Sequence, residues 1–208
     1  MYKTILCNKP EIREIYRGEG LLNVLFVCGT HGDEFAGDIS VQNYDYSDVY
    51  DLNITICRVN LCGLLGNMRN NPMTGLDINR QYNKGDPHNK IVEDLVLRND
   101  IIFDFHEGFD FNIINKNSIG STLSTNSTNF LNLCEYIIQQ LNNQINNKNK
   151  KFVFLRKTQE IEGSLQEYCT IHNKDYVLIE TTKTEDLQSR IIKNNIIIQS
   201  IIDYLTSS

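Results

Sequence analysis

Two short runs in this 208-residue chain hold residues that could do chemistry together. Gly29-Thr30-His31-Gly32-Asp33-Glu34 follows a strongly apolar stretch, Leu21 to Cys28, and His106 closes a second, Ile101 to Phe105. Apolar runs of this length read as buried strands, so His31, Glu34 and His106 fall at strand ends. Two imidazoles and one carboxylate are three donors of a tetrahedral zinc site whose fourth position stays open for water. Open α/β sheets place their ligands at the carboxyl ends of strands, which is where these three residues lie. HxxE spacing alone is common by chance. Glycines on both sides of His31 strengthen it, because they let the backbone turn sharply.

Other residues join this set. The stretch 60–87 carries Gly, Asn and Pro with little periodicity, and loops this long in compact domains are usually functional. It holds Arg69 and then Gly75-Leu76-Asp77-Ile78-Asn79-Arg80. An arginine fork binds a carboxylate bidentately. A third apolar run ends in Ile179-Glu180, which puts another carboxylate at a strand end. Glu107 rivals Glu180 as a base, but neighbouring strand residues point to opposite faces, so Glu107 is expected to lean away from His106. Asp33 reads as a turn residue and His88 and His172 as surface residues. Tyr168 and Tyr176 could supply a phenol to the site, but most tyrosines simply pack with a wet hydroxyl, and neither is assigned a role. The polar segment 117–122 fits either a pocket wall or a solvated turn.

The elements that must position these residues alternate. Residues 3–7 and 12–16 read as short strands that could form a hairpin. Strands are expected at 21–28, 52–59, 101–105, 151–156 and 176–181, with a short extended piece near 119–123. Helices are expected at 34–44, 90–98, 129–143 and 163–172. A last helix follows Thr184 as its cap, with Leu187, Ile191, Ile198, Ile202 and Leu205 on one face. Strands alternating with helices predict an α/β fold, a single domain over 1–208 with a mostly parallel mixed central sheet flanked by helices.

Composition sets the remaining bounds. A net charge of -6 gives no basic field for nucleic acid or anionic membrane. Six cysteines form no CxxC pair and mostly sit in apolar runs, so they read as free thiols in a reducing compartment. Residues 1–20 contain no apolar leader segment and no run reaches the length of a membrane span. The expectation is a cytoplasmic protein with neither a nucleic-acid nor a membrane partner.

Four segments, Gly29 to Glu34, Asp77 to Arg80, Asp104 to Glu107 and Val177 to Thr181, resemble the zinc carboxypeptidase superfamily. The GTHGDE wording is most similar to its succinylglutamate desuccinylase and aspartoacylase branch. The motifs occur in the family's order and span residues 29–181. The resemblance implies one zinc per chain held by His31, Glu34 and His106, with Asp77 orienting the first histidine. It implies that Asn79 and Arg80 hold the free carboxylate of the substrate, that Arg69 stabilises an oxyanion, and that Glu180 is the general base. The implied reaction is hydrolysis of an amide bond next to a free carboxylate, in an N-acyl amino acid or a peptide. The chain departs from the aspartoacylase branch in one respect. Only 28 residues follow Glu180 and they read as one helix, where that branch usually adds a β-domain that shapes the substrate mouth. The alternative is a catalytically silent zinc-binding module of the same fold, a class that usually loses the base or the carboxylate-binding arginine. Both Glu180 and Arg80 are present.

Overall fold

Residues Val24 to Cys28 and Ile101 to Phe103 are buried on both sides of their strands, and a sheet with such strands must be covered on both faces. The computed structural model shows how; it describes residues 9–156 and 161–207. Its strands are β1 (Glu11–Ile15), β2 (Leu22–Cys28), β3 (Leu52–Arg58), β4 (Ile101–Gly108), β5 (Thr122–Thr125), β6 (Val153–Phe154) and β7 (Asp175–Thr182). Its helices are α1 (Phe35–Asn43), α2 (Leu61–Gly66), α3 (Pro87–Arg98), α4 (Leu131–Asn143), α5 (Leu165–Ile171) and α6 (Leu187–Thr206).

The strands form one mixed sheet in the order β1-β3-β2-β4-β7-β5-β6. The central four, β3, β2, β4 and β7, are parallel. Antiparallel pairings join β1 to β3 and β5 to β7. Alternation along each strand sorts its side chains between two cores. Val24, Phe26, Phe103, Phe105, Val177 and Ile179 pack on one face with α1, α4 and α6. Leu25, Val27, Ile102, Tyr176 and Leu178 pack on the other with α3 and α5. This second face carries the candidate site.

The expected α/β class and mostly parallel sheet are present, with local differences. The first strand pairs with β3, and residues 3–7 lie outside the described residues. The stretch 60–87 is not all loop. It contains α2, capped by Asn60, whose side chain accepts from Gly63 N, and a one-turn 3-10 helix at Ile78–Arg80. The expected strand 151–156 shrinks to the two residues of β6. Thr184 does not cap the last helix; Asp186 does, accepting from Ser189 N at 2.9 Å. The Thr184 hydroxyl instead donates to Phe109 O at 2.6 Å.

Cys28, Cys57, Cys134 and Cys169 are free and buried, as the apolar runs suggested. Cys62 is disulfide-bonded, so the expectation of a chain without disulfides fails there. Sequence spacing does not reveal which thiols meet in space, and the reading of a reducing compartment loses that support. Among the described residues no helix is long and apolar enough to cross a membrane.

Candidate active site

The β2 strand ends at Cys28, and Gly29 takes a positive φ of 62° to turn the chain. Gly32 serves a different need. A Cβ there would lie 2.1 Å from the Gly63 carbonyl carbon and 2.4 Å from Met68 O. Only a glycine lets the turn lie this close to α2, and Gly32 N then donates to Arg69 O at 3.2 Å. The turn delivers His31 and Glu34 to the carboxyl end of the sheet, and β4 delivers His106 beside them.

His31 Nδ1 lies 3.0 Å from Glu34 Oε1, and His106 Nδ1 lies 2.9 Å from Glu34 Oε2. The two Nδ1 atoms are 3.2 Å apart. All three residues are buried, and their donor atoms lie within 4.8 Å of one another. The far nitrogen of each imidazole faces a carboxylate. His31 Nε2 lies 3.2 Å from Asp77 Oδ1, and His106 Nε2 lies 3.1 Å from Asp104 Oδ2. An imidazole with a carboxylate behind it is the usual form of a metal-binding histidine. Donors at zinc–ligand distances around one tetrahedral ion stand about 3.3 Å apart, so the residues present fit a metal ion.

Charge in this cluster follows from its partners. Burial opposes the charge of Glu34, yet hydrogen bonds and charge from His106 and His31 hold its carboxyl well below the usual range. Burial likewise disfavours a charged His106, but Asp104 and Glu34 push its pKa well above the usual value. Asp77 is partly buried, which raises its pKa, while His31, Arg80 and Arg69 bring it down to about 2.

Glu34 stands at the N-cap position of α1, but its side chain makes no capping bond. The orphan amide of Ala36 is satisfied by Glu107, whose Oε1 accepts it at 2.6 Å. The other Glu107 oxygen pairs with Arg190 of α6. Glu107 therefore points to the α1/α6 side of the sheet, as strand alternation predicted, and replaces the cap that Glu34 gives up. Its backbone amide donates to Glu34 Oε2 at 3.1 Å.

A cavity of about 140 Å³ opens over the cluster, and its walls include Arg69, Asn79, Arg80 and Glu180. Glu180 is buried in β7. Arg69, exposed at the mouth, donates to Glu34 Oε1 at 3.0 Å. Asp77 caps the 3-10 turn by accepting from Asn79 N at 2.9 Å. Asn79 Oδ1 accepts from Leu165 N at 2.9 Å, and Arg80 Nη1 donates to Asn79 O at 2.5 Å. These contacts tie the Asn-Arg pair to the start of α5. Gly163 completes the junction with a φ of 73°, where a Cβ would lie 2.4 Å from Arg80 O. The structure thus brings His31, Glu34, Arg69, Asp77, Asn79, Arg80, His106 and Glu180 to one place.

Reading the sequence missed two residues there. Asp104 precedes His106 by two positions, so strand periodicity puts both on one face; that signal was available. Lys183 had no such signal. It follows β7, reaches back to Asp33 Oδ2 at 2.6 Å and approaches Glu34 Oε1 at 3.9 Å. His88 is half-buried against Val59 O, and exposed His172 stacks on Tyr168.

The same fold recurs among solved structures. The chain superimposes on the apo form of the cell shape determinant Csd4 from Helicobacter pylori with a TM-score of 0.82 at 18% identity, covering 95% of this chain and 55% of that one. The mDAP-bound form of Csd4, described as a D,L-carboxypeptidase, matches with a TM-score of 0.78 at 17% identity, over 91% of this chain and 52% of that one. A candidate metallopeptidase from Shewanella denitrificans OS217 matches with a TM-score of 0.69 at 16% identity, over 93% of this chain and 78% of that one. The chain therefore spans about half the length of Csd4. These likenesses establish a shared fold. No protein-family model and no curated protein sequence matches the chain.

Proposed function

We propose that this chain is a zinc-dependent hydrolase that cleaves an amide bond next to a free carboxylate. The observation that carries the reading is the convergence of His31 Nδ1, His106 Nδ1 and the Glu34 carboxylate in a cavity walled by Glu180, Arg69, Asn79 and Arg80. His31, Glu34 and His106 would hold the ion, with Asp77 and Asp104 fixing the imidazoles. Zinc in this setting polarises a carbonyl and makes water acidic enough to attack at neutral pH.

The chain's own residues supply the rest. Glu180 takes a proton from the attacking water and returns it to the leaving nitrogen. The Arg80 guanidinium and the Asn79 amide take the substrate carboxylate and so set which bond meets Glu180. Arg69 places a positive charge where the scissile oxygen gains negative charge.

Two substrate forms satisfy this arrangement, a short peptide cut at its carboxyl end and an N-acyl amino acid. The peptide form is favoured by the shared fold with Csd4, which has been solved with a tripeptide bound. The deacylase form rests on the wording of the His31 motif.

The test is metal analysis of the purified protein together with a turnover screen of short peptides and N-acyl amino acids, with and without chelator. About one zinc per chain and chelator-sensitive turnover of either class support the hydrolase and choose its form. Failure to bind metal on reconstitution overturns it.

A further inference from the structure

Asp104 is completely buried in the middle of the sheet. Its Oδ1 has no hydrogen-bond partner among the described residues, so its hydrogen bonding falls on Oδ2. Two groups meet that oxygen: His106 Nε2 at 3.1 Å and the Tyr176 hydroxyl, which donates at 2.8 Å. Tyr176 is register partner to Ile102, and Asp104 to Leu178 on the same strand pair. The phenol thus reaches one step along the shared face to the carboxylate. A buried carboxylate with so few donors depends on each of them, because a lost hydrogen bond there is not replaced by water.

We infer that Tyr176 is a positioning residue for the metal centre. Its hydroxyl holds the Asp104 carboxylate in place, the Asp104 charge 3.1 Å from His106 Nε2 sets the orientation of that imidazole, and His106 Nδ1 is thereby aimed at the ion. This rests on the metal-site reading above and adds a residue to it. Tyr176 also borders the cavity, but its hydrogen already points at Asp104, so its phenol is not the group that meets the substrate. Tyr82 provides an internal control. Its phenol is equally buried, yet its hydroxyl has no partner among the described residues.

The test is zinc affinity by chelator competition, with the visible spectrum of the Co²⁺-substituted protein as a second readout. Substitution of the direct carboxylate partner of a metal-bound histidine costs about 10- to 100-fold in affinity. Tyr176→Phe, one step further back, should weaken zinc about 3- to 10-fold and shift the Co²⁺ bands. Tyr82→Phe should leave both unchanged. In Asp104→Asn, adding Tyr176→Phe should cost little more, because the two act as one unit. Unchanged zinc affinity in Tyr176→Phe beside a metal-binding wild type overturns the inference and leaves the hydrolase reading intact. A rise in KM with unaltered zinc affinity overturns it too, since it marks a substrate contact. A wild type that binds no metal overturns both. If Tyr176→Phe does not fold, Asp104→Asn decides alone, and wild-type zinc affinity in that variant refutes the relay.

Discussion

His106 and Glu180 are register partners on the adjacent parallel strands β4 and β7. Their strands are about 4.8 Å apart, as in any sheet, and both side chains leave the face that packs against α3 and α5. The spacing between a proposed metal donor and the proposed base is therefore set by the sheet ladder and not by a loop. Glu107, one residue along, leaves the opposite face and caps α1 through Ala36. One strand thus contributes a donor to one side and a structural cap to the other.

This separates two carboxylates that sequence order alone leaves as rivals. Glu180→Gln should retain zinc while turnover falls by about 10²- to 10⁴-fold, the usual contribution of a positioned general base. Glu107→Gln should do the reverse, loosening the start of α1 and the Arg190 pair, with a lower melting temperature and weaker zinc but retained turnover once metal is saturating. Metal content, thermal unfolding and kcat on the same preparations check both. A fully active Glu180→Gln would remove that residue from the mechanism.

Much of this was legible because the site lies at the ends of strands. Strand ends can be read from apolar runs, and alternation tells which neighbour faces where. That is why His106 and Glu180 could be separated from Glu107. The legibility stops where the chain leaves the sheet. The stretch 60–87 looked structureless because α2 is short and glycine-containing and the Asn79 turn is a single 3-10 turn, so neither has a period to detect. Asn79 shows the cost of this. Its amide oxygen anchors α5 through Leu165 N, 86 positions away, and no local pattern announces such a contact. Lys183 and the disulfide at Cys62 were invisible for the same reason, being products of packing.

The two cavity arginines should fail differently. Arg80 is half-buried and fixed through Asn79 to α5, so it suits a ground-state contact. Charge-assisted pairs of this kind are worth about 1.5–3 kcal/mol, so Arg80→Ala should raise KM about 10- to 100-fold with a smaller change in kcat. Arg69 is exposed at the mouth and touches Glu34. Arg69→Ala should lower kcat by about 100-fold if it serves the developing oxyanion. Steady-state kinetics separates the cases. Loss of zinc from Arg69→Ala, with kcat restored by excess metal, would instead make Arg69 a partner of the Glu34 ligand.

Burial pushes the Cys57 and Cys134 thiols up to about 12. At pH 8 only about one part in ten thousand of such a thiol is ionised, and the thiolate is the reactive form. Iodoacetamide should leave both unmodified in the native protein and label them after denaturation, as mapped by mass spectrometry. The same shift has a stability consequence. The folded value exceeds the unfolded one of about 8.5, so the unfolded chain loses these protons first. Stability is fully present below about pH 8.5 and is lost as pH rises towards 12. Urea midpoints measured between pH 8 and pH 11 should fall, and Cys134→Val should flatten that fall. Rapid native labelling of either thiol would contradict the packing of its strand or helix.

Gly32 offers the sharpest test of how the turn places two donors at once. Its missing Cβ leaves room for the backbone of Gly63 and Met68, the atoms that a side chain would strike. Neither neighbour is the flexible end of a side chain, so neither can swing aside. Gly32→Ala must move the turn or α2, at a cost of about 1–3 kcal/mol as for other overpacked sites. Because His31 and Glu34 flank the displaced residue, zinc affinity should fall together with stability. Gly66→Ala is the matched control at the end of the same helix, where an added Cβ meets only the Met68 side chain at 3.5 Å. Its helical position favours alanine by about 0.5–1 kcal/mol, so stability should hold or rise and zinc should be unaffected. A Gly32→Ala protein with wild-type melting temperature and zinc affinity would show that close packing against α2 does not position the donors.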